Sequence, residues 1–181
     1  MTKLPEHLGG HKGRTHTDPG LLEYFQKAFR CNTMLDVGCG PGGQVELAKS
    51  LGWQADGVDG DHTVKRSFSC QIVDFKYGMY VADKSYDLGW CVEFLEHVEE
   101  KYIPNYMPAL SACNFVVVTH ALPGEPGHHH VNCQEQDYWV DKFSQYGLEH
   151  VEELTTEIRS RSTMERDFIR RRGLCFVNKR L

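Results

Sequence analysis

The sequence contains no apolar run near the ~18 consecutive residues that a membrane-spanning helix needs, so no transmembrane segment is expected. It has no C-x-x-C pair. Its seven cysteines, at positions 31, 39, 70, 91, 113, 133 and 175, are odd in number and sit mostly in apolar, strand-like runs. That argues against a disulfide framework and for reduced, buried thiols in a cytoplasmic protein. The opening Met-Thr-Lys-Leu-Pro-Glu-His lacks the apolar centre of a secretory signal, which agrees with that compartment. There is no surplus of basic charge either: 20 Lys and Arg face 25 Asp and Glu, for a net charge of −5. A general polyanion-binding field is therefore not expected, although local basic patches do not exclude nucleic acid. No repeat, linker or low-complexity stretch divides the 181 residues. We expect one domain over 1–181, with an irregular arm at 1–17, an N-terminal helical segment at 18–32 and a core at 33–181.

What is present is an alternation of strand and helix patterns. Thr17-Asp18-Pro19 is a good helix start, with an oxygen-bearing cap and a proline in the first turn, and the helix presents Leu21, Leu22, Phe25, Ala28 and Phe29 to a core. Strands are expected at 33–38, 54–59, 70–74, 86–92, 114–120, 148–154 and 174–179, with helices at 43–51 and 134–146. The run Asn-Phe-Val-Val-Val-Thr-His at 114–120 is of the kind buried on both faces of a parallel sheet. Only ten residues, 60–69, separate the second and third strands, leaving room for a turn or two of helix. The alternation indicates a doubly wound α/β fold.

The most informative segment is Leu-Asp-Val-Gly-Cys-Gly-Pro-Gly-Gly at 35–43, an apolar strand running into a glycine loop that opens a helix. Backbone there can pass close to a ligand, and the N–H groups at the helix start favour an anionic or nucleotide-like group. The spacing Gly38, Gly40, Gly43 satisfies the dinucleotide fingerprint, and Asp59 lies 21 residues after Gly38, near where an NAD site places its ribose acid. Three details point away from NAD: Asp36 inside the first strand, Pro41 within the loop, and a further acid, Asp74, ending the third strand. Together these residues resemble the class I S-adenosylmethionine-dependent methyltransferases, of the small kind found in bacteria and their phages. The resemblance covers roughly 33–150. It implies a mostly parallel, seven-stranded, Rossmann-like sheet with an antiparallel last strand. It also implies that Asp36, Gly38, Cys39, Gly40 and Gly43 surround the methionine part of S-adenosyl-L-methionine, with Cys91 close by. Asp59 would accept the ribose hydroxyls, and Asp74 would meet the adenine amino group.

After the fourth strand comes Cys-Val-Glu-Phe-Leu-Glu-His-Val at 91–98. If 93–97 is a helical first turn, Glu93, Glu96 and His97 share one face and offer a ligand set for a divalent cation such as Mg²⁺. The alternative is that the two acids only complement a helix dipole. With a distant histidine, for which we take His129, the arrangement resembles the metal-assisted O-methyltransferases of ubiquinone biosynthesis and of small-RNA 2′-O-methylation. His97, His129 and His130 are the candidate catalytic bases, the last two from a loop at the carboxyl end of the fifth strand. A further basic cluster, Arg159, Arg161, Arg166 and Arg170–Arg172, is either a phosphate grip or a solvated helix face. The expected activity is methyl transfer to an O or N nucleophile of a small-molecule or nucleotide-like acceptor. A cofactor-binding but catalytically silent module and an NAD-dependent oxidoreductase are the alternatives left by the sequence.

Overall fold

A computed structural model of the protein describes residues 4–180. They fold around one seven-stranded sheet: β1 (Thr33–Val37), β2 (Gln54–Asp59), β3 (Cys70–Ile72), β4 (Tyr86–Cys91), β5 (Cys113–Val118), β6 (Leu148–His150) and β7 (Leu174–Asn178). The order is β3-β2-β1-β4-β5-β7-β6. The first five strands run parallel, and β7 enters antiparallel between β5 and β6. The chain reverses direction across the sheet between β1 and β4. At that switch point the two βα connections diverge, so a cleft opens at the carboxyl ends of the strands.

Helices α1 (Pro19–Phe29), α2 (Gly43–Ser50), α3 (Ile103–Leu110), α4 (Gln136–Ser144), α5 (Glu152–Arg161) and α6 (Phe168–Arg172) cover both faces. Met34 points to the side of Leu21, Phe25 and Ile158, whereas Leu35 and Val37 point to the side of Tyr106, Trp139 and Phe143. This two-sided burial explains why β1 and β5 read as continuous apolar runs and not as alternating ones. Asp18 caps α1 by accepting a hydrogen bond from the Leu21 amide at 3.0 Å. Fully buried, it also accepts from the Ser162 hydroxyl and the Thr163 amide, tying the start of α1 to the end of α5.

Four expectations are corrected. The 93–97 stretch is not the first turn of an α-helix: Glu93 has φ +56 and only Leu95–His97 forms a 3₁₀ turn. Residues 60–69 contain turns and bends but no helix. The strand expected at 148–154 ends at His150, and Glu152 and Glu153 then open α5, where their charge complements the helix N-terminus. Helix α3 was not among the expected helices; its Pro104 sits in the first turn, where the missing N–H is not needed. No helix among the described residues is long and apolar enough to cross a membrane.

Candidate active site

A cleft of about 740 Å³ lies over the carboxyl ends of β1, β2 and β4. Its floor is the turn after β1. The Gly38 and Cys39 amides both donate to the Val58 carbonyl, at 2.9 and 3.2 Å, which folds the loop across the end of β2. Gly38 has φ +79, and a Cβ there would lie 2.2 Å from the ring of Phe94. Asp36, Gly38, Cys39, Gly40, Asp59 and Asp74 all line the cleft. Gly43 and Cys91 do not. The Gly43 amide, at the start of α2, donates to the Thr15 hydroxyl at 3.1 Å, and Cys91 is fully buried beneath the sheet end.

The strand-end acids are already engaged by protein donors. Asp59 accepts from the Gly40 amide at 2.8 Å, the Asp61 amide at 2.7 Å and the Arg66 guanidinium at 3.2 Å. A carboxylate offers about four acceptor positions, so three protein donors leave room for one more without rearrangement. Arg66, 3 % exposed, also donates to the Gly40 carbonyl at 2.7 Å, so a single buried guanidinium ties the glycine loop to the acid at the end of β2. Asp74 pairs with His7 at 2.8 Å and accepts from the Lys76 amide at 3.0 Å.

His7 belongs to the N-terminal arm, which lies across the cleft. His11 reaches Asp61 at 3.0 Å, and the Gly10 backbone passes so close to the His128 ring that a Cβ would sit 2.9 Å from it. The glycine-rich arm suggests either disorder or a segment that closes the site, with Lys12 or Arg14 toward the cofactor carboxylate or an anionic substrate. Both residues line the cleft, whereas the pairing of His7 with Asp74 and of His11 with Asp61 is not signalled locally. Aromatic lining comes from Phe75, Trp90, Phe94 and Phe168. Of the basic cluster, Arg159, Arg170 and Arg172 are spent on backbone or side-chain acceptors in the C-terminal half. Arg166 alone of that cluster lines the cleft, 5.3 Å over the Phe168 ring.

At the far wall Glu96, His97 and His130 bring one ligand atom each to within 4.8 Å of one another. His97 Nδ1 lies 2.7 Å from the His128 carbonyl oxygen, and His130 Nδ1 lies 2.9 Å from that of Glu125. A carbonyl only accepts, so each Nδ1 carries a proton, which in a neutral ring leaves the Nε2 lone pair available. Burial pushes His97 down to about 4, which keeps its ring neutral. Burial, with the Glu93 carboxylate next, pushes Glu96 up to about 8, and one buried Glu96 oxygen has no partner among the described residues. Two expected members stand outside this group. Glu93 turns to Thr119, whose hydroxyl donates to it at 3.1 Å, and its carboxyl is raised to about 7 by burial. His129, at φ +50, lies with its ring 6.1 Å from that of His7.

Asp36 provides a test of the buried cleft floor. Burial, with the neighbouring Asp59 charge next, holds its carboxyl well above 3.8. As pH rises past 3.8, the unfolded chain ionises while the folded one stays protonated, so stability falls with rising pH until the folded value is passed. Asp36→Asn cannot ionise. Denaturant unfolding of the ligand-free protein between about pH 4 and 8 will show a flatter profile for the variant, and greater stability than wild type at neutral pH. A variant less stable at neutral pH would mean a charged, paired carboxylate instead.

Residues 35–117 match the methyltransferase domain family. No curated protein matches by sequence. Among solved structures, a sugar N-methyltransferase from Streptoalloteichus sp. is 10 % identical, with 98 % of this chain and 97 % of that one covered at a TM-score of 0.67. Magnesium protoporphyrin IX methyltransferase from Synechocystis, with bound S-adenosylhomocysteine, is 14 % identical over 88 % of this chain and 80 % of that one, at 0.59. The methyltransferase domain of bacterial CtHen1 is 18 % identical over 73 % and 84 %, at 0.56. Sheet order, glycine turn and strand-end acids define a class I methyltransferase fold. The methyltransferase match covers β1 to β5, just under half of the chain, and the solved structures share the fold around it.

Proposed function

We propose that the protein transfers the methyl group of S-adenosylmethionine to a hydroxyl oxygen of a small or nucleotide-like acceptor, with a divalent cation held by Glu96, His97 and His130. The observation that carries this reading is the convergence of two imidazoles, each with its Nδ1 held by a carbonyl behind it, on the buried carboxyl of Glu96, one oxygen of which has no partner among the described residues. Metal-binding histidines are oriented in this way by the group that takes their other ring N–H. Two nitrogens and one carboxylate suit Mn²⁺, Fe²⁺ or Zn²⁺, and Mg²⁺ if water supplies further ligands. When bound, the cation supplies Lewis acidity that lowers the pKa of an acceptor hydroxyl.

The chain's own residues account for the rest. The β1 turn and Asp59 orient the cofactor, and the aromatic lining of Phe75, Trp90 and Phe94 excludes water from the sulfonium. Rate enhancement then comes mainly from proximity and in-line alignment. Glu93, in the cleft with a carboxyl raised to about 7, is suited to take the acceptor's proton near neutral pH.

Calorimetry tests the cation site. Mn²⁺ is expected to bind the S-adenosylhomocysteine-loaded protein with one-to-one stoichiometry, and at least about tenfold more weakly in Glu96→Gln and His130→Ala. Equal binding by wild type and variants, or none at all, would sink the cation while leaving the cofactor reading intact. Transfer of labelled methyl to a nucleotide pool, dependent on Mn²⁺, tests the acceptor.

A further inference from the structure

Two thiols from opposite sides of β2 meet directly over a glycine. Cys39 lies in the turn after β1, Cys70 opens β3, and β2 runs between those strands. Side chains separated by an intervening strand normally cannot touch, because neighbouring strands are about 4.8 Å apart and the middle strand's own side chain fills the gap. Here the middle residue is Gly57, which pairs in register with Asp36 on one side and Cys70 on the other. A Cβ at Gly57 would lie 2.8 Å from Cys39 Sγ, so any other residue would displace the Cys39 thiol from its present position. The sulfurs are 3.6 Å apart.

The pair is also asymmetric. Cys39 is 3 % exposed, whereas Cys70 is partly open to solvent. The Cys39 S–H as donor and the nearby Arg66 guanidinium lower the Cys70 thiol, while Cys39 is raised and keeps its proton. Among the described residues no other two cysteines approach within hydrogen-bonding distance. Cys31, Cys91, Cys113 and Cys175 are buried, leaving Cys133 as the other accessible thiol.

We propose that Cys39 and Cys70 form a reversible disulfide under peroxide, and that this bond lowers the affinity of the cleft for its cofactor. The Cys70 thiolate attacks one peroxide oxygen, breaking the O–O bond and leaving a sulfenic acid plus hydroxide, which takes up a proton to become water. Cys39 sulfur then attacks Cys70 sulfur. The S–S bond forms, the S–O bond breaks, and the Cys39 proton leaves with the hydroxyl as a second water. Two thiols are oxidised by two electrons, and one peroxide is reduced to two waters.

The consequence for binding follows from where Cys39 sits. An S–S bond is about 2.0 Å long, so the sulfurs must close by about 1.5 Å. Cys39 lies between Gly38, packed against Phe94, and Gly40, whose amide holds Asp59 at 2.8 Å. Drawing Cys39 toward β3 moves the turn that forms the cleft floor and disturbs the Gly40–Asp59–Arg66 connection. Positioning by that turn is what cofactor affinity depends on. The effect on affinity therefore rests on the S-adenosylmethionine reading, whereas the cross-link does not.

The test uses full-length protein carrying Cys133→Ser, treated with one equivalent of hydrogen peroxide. Intact mass is expected to fall by about 2 Da, peptide mapping to join Cys39 to Cys70, and dithiothreitol to reverse both. Affinity for S-adenosylhomocysteine by calorimetry is expected to fall at least about threefold on oxidation and to recover on reduction. Cys70→Ser in the same background should show neither the cross-link nor the peroxide response. Absence of the 39–70 peptide, or a mapped cross-link with affinity changed by less than about threefold, would overturn the proposal. Failure of the reduced protein to bind S-adenosylhomocysteine would instead count against the cofactor reading, and the peptide map would still decide the thiol pair.

Discussion

Asp59→Ala will cost the protein both its cofactor and a large part of its stability. The carboxylate joins the β1 turn to Arg66 through both of its oxygens, accepting from Gly40 on one and from Asp61 and Arg66 on the other. Removing it leaves a guanidinium that is 3 % exposed with backbone carbonyl acceptors but without its counter-charge. Breaking one side of a buried pair typically costs about 3–5 kcal/mol, because the remaining charge is left desolvated. The remaining acceptor position is also where a ribose hydroxyl would bond, and hydrogen bonds to a charged group contribute about 1.5–3 kcal/mol. A loss of that size, added to a displaced Gly40 amide, lowers affinity about 100-fold or more. The checks are denaturant unfolding for stability and S-adenosylhomocysteine calorimetry for binding. Asp59→Asn, which keeps the shape but not the charge, should retain more stability than alanine and still bind weakly. Unchanged affinity in Asp59→Ala would remove this acid from the cofactor site.

The second large effect is expected at Gly38→Val. Its φ of +79 disfavours any side chain, and a Cβ would lie 2.2 Å from Phe94 Cδ2 and 2.7 Å from Cγ. Phe94 has little room to retreat, since its ring is packed edge-on against Phe75 at 5.5 Å and Tyr106 at 5.3 Å. Backbone strain of about 1–3 kcal/mol and overpacking of about 1–3 kcal/mol combine here. The melting temperature should drop by about 5–15 °C at roughly 2–4 °C per kcal/mol for a chain of this size, and methyl transfer should be lost. Gly124→Val is the control. Gly124 has φ +86 with nothing within 4 Å of its Cβ position, so it carries the strain without the clash. Equal losses in the two variants would show that close approach to Phe94 is not what requires glycine at position 38.

The class of the fold, the β1–turn–α2 unit and the acids at the strand ends were legible in the sequence. Those features are local: a two-sided apolar strand, a glycine turn and a helix start are written within a dozen residues, and a carboxylate ending a strand emerges at the sheet's carboxyl edge whatever the rest does. The tertiary structure decided what each site residue faces. Glu93 and Glu96 look equivalent by spacing, but a left-handed backbone at Glu93 sends its carboxylate to Thr119 and leaves Glu96 with the imidazoles. In His128–His130 nothing local separates one histidine from the next. The Glu125 carbonyl fixes His130 toward Glu96, while His129 turns to the arm. The His7–Asp74 pair spans 67 residues and the Cys39–Cys70 contact depends on a glycine in a third strand. Periodicity encodes which face of an element is buried. It carries no information on loop backbone angles or on partners supplied from distant segments, and those are what aim a side chain into the cleft.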